Sequence, residues 1–139
     1  MQDRTVTLYS EMRAAWRSAG EATGLAAVPF EERFDDLARE FDARVPASFE
    51  GIAAKLRRAF FLSDTRRAVP GIARAASRLA VRFARGTAGP IEAAALRELG
   101  PLLGYVINRD PEHAEHAGLY FAIEGLADAV QALRPRALH

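Results

Sequence analysis

The sequence predicts an all-α fold, a single helical domain of about five to six helices over residues 1–139, and three observations carry that prediction. Apolar residues recur at spacings of three and four, glycines and prolines fall where those runs end, and nothing alternates convincingly with the period of two expected of a half-buried strand. Half of the 139 residues are apolar, so one domain of this size buries roughly two-thirds of its unfolded surface and needs no staple. The chain has no cysteine, which excludes a disulfide framework, a thiolate metal site and a cysteine nucleophile.

Residues 5–19 place Leu8, Met12, Ala15, Trp16 and Ala19 at helical spacing, with Asp3 or Thr5 as cap and Gly20 as stop. Residues 21–29 hold Gly24 and Pro29 around Leu25, Ala26, Ala27 and Val28, and read as a connector whose apolar side chains join the core. The helical period resumes over residues 30–45 with Phe30, Phe34, Leu37, Phe41 and Val45. Glu31 and Glu32 suit the positive end of that helix's dipole, and Asp35, Asp36, Glu40 and Asp42 continue an acidic face that either meets solvent or partners arginines of the same fold.

Pro46 and Ser48 mark the start of a third helix, with the stripe Phe49, Ile52, Leu56, Ala59 and Phe60 and the cations Lys55, Arg57 and Arg58 beside it. It is expected to end at Ser63-Asp64, and a turn then carries Arg66 and Arg67 to Pro70, a residue tolerated only in the first turn of the next helix. Residues 70–86 form the fourth helix and 90–100 the fifth, where Pro101 should end or kink it. The uncharged run 100–108 is a candidate for the most buried segment, with a minority strand reading for Val106-Ile107. Asn108 or Asp110 caps a last helix with Pro111 at its first position and a seam of Leu119, Ile123, Leu126, Val130 and Leu133.

Charge is the informative quantity. The net value of +1 conceals three unlike segments: residues 1–50 carry 6 basic and 10 acidic groups, residues 51–90 carry 9 and 1, and residues 91–139 carry 4 and 7. Within the basic middle, Arg67, Arg74, Arg78, Arg82 and Arg85 project within a sector of roughly 80° when plotted at about 100° per residue. Val69, Ile72, Ala76, Leu79, Ala80 and Phe83 fall on the opposite side. Arginines four apart with no acid between them repel, so something outside the helix must compensate. An acidic helix of the same fold would do so internally. A polyanion would do so externally, since guanidinium groups bind phosphate oxygens bidentately and, about 6 Å apart along a helix, track a nucleic-acid backbone without reading bases.

The expected function is therefore a non-enzymatic module that binds nucleic acid or a nucleoprotein through Lys55, Arg57, Arg58, Arg66, Arg67, Arg74, Arg78, Arg82 and Arg85. The alternative is an adaptor that meets an acidic protein surface or a second copy of itself. No apolar run reaches the roughly 20 residues of a membrane span, so no membrane partner is expected, and a cytoplasmic location follows. No cofactor is expected. Glu112, His113, Glu115 and His116 crowd the first turns of the last helix, where Glu112 and His116 lie four apart as metal ligands can. They lack companion ligands from other helices, and an acid-rich first turn already suits the dipole.

Two resemblances accompany these readings. Arg109 followed by His116 resembles, in two residues, the arginine–histidine signature of HEPN-type ribonucleases, which are helical bundles. That resemblance implies His116 as acid/base and Arg109 as phosphate stabiliser, although the break at Asp110-Pro111 would put Arg109 outside the helix that bears His116. In size, class and charge, and in the aromatic-rich last helix with Leu119, Tyr120 and Phe121, the chain is similar to the small helical subunits of CRISPR effector complexes. That similarity, which includes no diagnostic motif, implies stacking along a guide–target duplex through backbone contacts.

Overall fold

Asp3 organises the start of the chain. Its carboxylate accepts from the Thr5 amide (3.1 Å), capping α1 (Arg4–Glu21), and from the Ala47 amide (3.0 Å) and Ser48 hydroxyl (2.9 Å) at the entrance to α3 (Phe49–Phe61). Ser48 in turn accepts from the Gly51 amide (3.0 Å) and so caps α3 itself. Glycine is required at position 51, because a Cβ there would overlap the Asp3 carboxylate and come within 2.9 Å of Pro46 Cβ. Burial pushes the Asp3 carboxyl up, but the Thr5 amide, the Ser48 hydroxyl and the Ala47 amide outweigh it and hold the group below its ordinary value of 3.8.

Because folding lowers this pKa, the stabilisation is complete above about 3.8 and is lost as pH falls from there through the folded value. Replacing Asp3 with Ala is expected to cost about 0.5–2 kcal/mol at pH 7, the usual range for a lost cap. The difference in thermal melting between Asp3→Ala and the unmutated protein should shrink as pH is lowered below about 3.8.

The computed structural model describes residues 3–61, 69–86, 88–109 and 117–133, and among them the protein is an all-α, single-domain bundle of six helices without strands. The others are α2 (Val28–Ala43), α4 (Pro70–Ala84), α5 (Pro90–Arg109) and α6 (Ala117–Leu133), with a short 3-10 turn, Gly24–Ala27, before α2. Helices α3, α4, α5 and α6 form a square in which each packs against the next and α6 closes onto α3. Its core joins Ile52, Leu56, Phe60, Phe83, Leu96 and Leu103 with Ile123 and Val130. The antiparallel pair α1–α2 packs through α1 onto α3 and has a second core of Leu8, Met12, Leu37 and Phe41, which reaches α3 at Ala54.

Several expectations are corrected. Gly20 does not stop α1, which runs one residue further to Glu21 at the modest cost of an interior glycine. The connector does not bury its apolar cluster: Leu25 is 89% exposed and only Ala27 points inward, since one short turn presents one face. Helix α2 closes at Ala43, leaving Val45 outside it and exposed.

Pro101 neither ends α5 nor separates two helices. Its missing amide would have met the Arg97 carbonyl, and both residues lie on the exposed side of α5, so the lost bond falls away from the core. The run 100–108 is helical and two-sided: Gly100 and Leu103 are buried, whereas Leu102 and Tyr105 are 54% and 60% exposed. The start expected at Pro111 lies outside the described residues.

Candidate nucleic-acid interface

Helix α4 begins with Pro70 at its first position and carries Ala73, Ala76, Leu79, Ala80 and Phe83 into the core. It ends where Gly86 takes φ +70, a left-handed turn that lets its amide donate to the Phe83 carbonyl (3.0 Å). The buried set fixes the helix rotation, so Arg74, Arg78, Arg82 and Arg85 emerge on the opposite, exposed side. Four of the basic residues expected to act together are thus brought onto one face.

One of the four has an acidic neighbour. Arg82 Nη1 lies 3.3 Å from Glu92 Oε1, and the other Glu92 oxygen accepts from the Gly89 amide (2.9 Å), the reciprocal half of a capping box at the start of α5. The Gly89 amide is the leading cause that holds the Glu92 carboxyl below its ordinary value, with Arg82 contributing less. Among the described residues, Arg74, Arg78 and Arg85 form no ion pair.

The acidic helix α2 is engaged elsewhere. It packs against α1, with Glu40 near Arg4 (3.3 Å) and Arg44 (3.9 Å), Asp36 beside Arg39 (2.7 Å) and Asp42 beside Arg58 (3.6 Å). Helix α4 packs against α3 and α5 instead. The internal neutralisation of the ridge by α2 that the sequence allows is therefore not what the described residues form.

The three cations of α3 lie apart from the ridge. Lys55 donates to the Phe41 carbonyl at the end of α2 (2.6 Å) and sits 4.6 Å from the Phe41 ring centroid. Desolvation is the main cause lowering its pKa, with Asp42 opposing. Arg58 reaches Asp42 and the Phe34 ring, and Arg57 lies near Tyr9, whose phenol is raised by burial against the opposing charges of Arg13 and Arg57. Lys55 and Arg58 thus tie α3 to the hairpin, and of the expected basic residues those on α4 share one exposed face.

Arg66, Arg67 and the metal and HEPN-like candidates Glu112, His113 and His116 lie outside the described residues. Arg109, the last residue of α5, donates to the Tyr105 hydroxyl (2.7 Å). Among the described residues no group of three potential metal ligands comes together, and no helix is long and apolar enough to cross a membrane. The seam offered by the last helix is used within the fold, since Ile123, Leu126 and Val130 are buried in the main core. No family model, curated protein or solved structure matches the chain significantly.

Proposed function

We propose that the protein is a non-enzymatic helical module that binds the backbone of a nucleic acid, alone or within a nucleoprotein, through Arg74, Arg78, Arg82 and Arg85 on α4. One observation carries this reading: the arginines stand exposed along a single helix face, and three of them have no acidic partner among the described residues. Guanidinium groups so placed gain little from one another and much from phosphate oxygens, which they bind in the bidentate geometry that suits both groups. Backbone binding of this kind is insensitive to base sequence and releases condensed counterions.

Affinity for a short oligonucleotide should fall linearly as log K against log salt, with a slope near −3 to −4 if four phosphates are contacted. Arg78→Ala should reduce that slope by about one unit and weaken all sequences alike. Fluorescence anisotropy between about 50 and 200 mM salt measures both quantities. A protein that binds neither DNA nor RNA at the lower salt ends this reading.

A further inference from the structure

Helix α5 turns Ala93, Leu96, Leu99, Gly100 and Leu103 into the core, and both of its flanks are taken. Glu92 reaches Arg82 of α4 on one side, and Arg97 reaches Gln131 of α6 on the other. At about 100° per residue, positions 98, 102, 105 and 109 fall within a sector of roughly 60° midway between those flanks, so they point away from the bundle. All four are exposed, Leu102 and Tyr105 by 54% and 60%. Ile91, 75% exposed, stands seven residues before Glu98 and continues the row.

The row reads glutamate, leucine, tyrosine, arginine, and its spacing of four, three and four is the same from either end. That spacing is the one by which residues meet across a two-helix coiled coil. When two copies of α5 lie in opposite directions about a two-fold axis between residues 103 and 104, Glu98 faces Arg109 of the second copy and Leu102 faces its Tyr105. Symmetry makes each contact occur twice. A parallel pair would instead set glutamate on glutamate and arginine on arginine. Sliding the antiparallel pair by one heptad toward the start of α5 would set Glu98 against Leu102 and Arg109 against Ile91, leaving both charges unmatched.

Both charges are free to be used this way. Glu98 and Arg109 stand about 16 Å apart along one helix, too far to meet within it, and neither forms an ion pair among the described residues. Arg109 is also held along the row: it donates to the Tyr105 hydroxyl (2.7 Å), and its guanidinium carbon lies 5.4 Å from the Tyr105 ring centroid.

We propose that this face of α5 pairs with the same face of a second copy of the chain, forming a two-fold antiparallel dimer in which Glu98–Arg109 contacts flank Leu102 and Tyr105. A row about 16 Å long is short for an interface, which when stable buries at least about 1,200 Å² in all, so the association is expected in the micromolar range. The pairing uses the outer side of α5 and does not depend on what the α4 arginines bind.

Sedimentation velocity of the full chain after nuclease treatment, at low salt and over about 5 to 500 μM, tests the proposal. The unmutated protein should move from the mass of one chain toward that of two as concentration rises. Glu98→Arg alone, or Arg109→Glu alone, turns two attractive contacts into two repulsive ones and should weaken association about tenfold or more. The protein carrying both substitutions regains opposite charges in the same register and should associate within about threefold of the unmutated one. Melting curves by circular dichroism at the lowest concentration should agree among all four proteins, because both side chains are exposed. A monomer throughout the series overturns the proposal, and so does a dimer that neither single reversal weakens, since its contact then lies on another face. Failure of the double exchange to restore what the single reversals lose overturns the antiparallel register.

Discussion

Replacing Arg74 and Arg78 together with glutamate is expected to abolish nucleic-acid binding, a loss of at least about a hundredfold at low salt, and to leave the melting temperature unchanged or slightly raised. Each reversal removes a phosphate contact and adds a repulsion, so the variant loses more than two neutral substitutions would. The helix itself tolerates the change. Both side chains are exposed. A carboxylate at 78 stands four residues before Arg82, the favoured order for an acid–base pair. Arg82 is the wrong residue to reverse, since a glutamate there would face Glu92, whose other oxygen holds the first amide of α5. A fall in melting temperature without any binding to lose would mean that the ridge is paired within the protein and has no external ligand.

Most helices were legible in the sequence because the 3.6-residue period is local: one stripe of apolar residues both defines and orients a helix. The ridge was legible for the same reason, since no acid lies within one turn of Arg74 or Arg78 on its own helix. Its exposure was not, because that depends on where α2 packs. Helix α2 turns its acids toward Arg4, Arg44 and Arg58, a tertiary outcome that charge counting along the chain cannot distinguish from a seam against α4.

The double role of α3 was hidden in a related way. The side that meets the α1–α2 pair is lined by Ala54 and the stems of Lys55 and Arg58, which cover apolar surface without reading as hydrophobic. Tyr105 was misplaced because an uncharged run counts residues and ignores faces. Plotted on the wheel, 91, 98, 102, 105 and 109 share one side, and Arg109 four residues after Tyr105 was the signal that this side is wet.

Removing the ring that anchors the ridge helix should have the largest effect on stability. Phe83 is fully buried, lies 6.0 Å from the Phe49 ring centroid at a tilt of 41°, and belongs to the core shared by all four helices of the square. On α4 its buried companions are Ala73, Ala76, Leu79 and Ala80, mostly too small to move into the space it would leave. Phe83→Ala should therefore cost about 3–5 kcal/mol, a large fraction of the 5–15 kcal/mol that typically holds a domain together, and lower the melting temperature by roughly 10–20 °C. Helix α4 has few other supports: Val69 gives it no side-chain cap and its arginines repel one another, so burial of this one face keeps it helical. Phe41→Ala removes an equally buried ring from the second core and should cost a similar amount. The two should part in their effect on binding. At temperatures where both variants remain largely helical by circular dichroism, Phe41→Ala should keep its oligonucleotide affinity while Phe83→Ala loses it, because only the second loosens the helix that carries the arginines. Equal affinity in both variants would show that binding does not depend on how firmly α4 is seated, and a loss below about 1 kcal/mol in Phe83→Ala would contradict its place in the core.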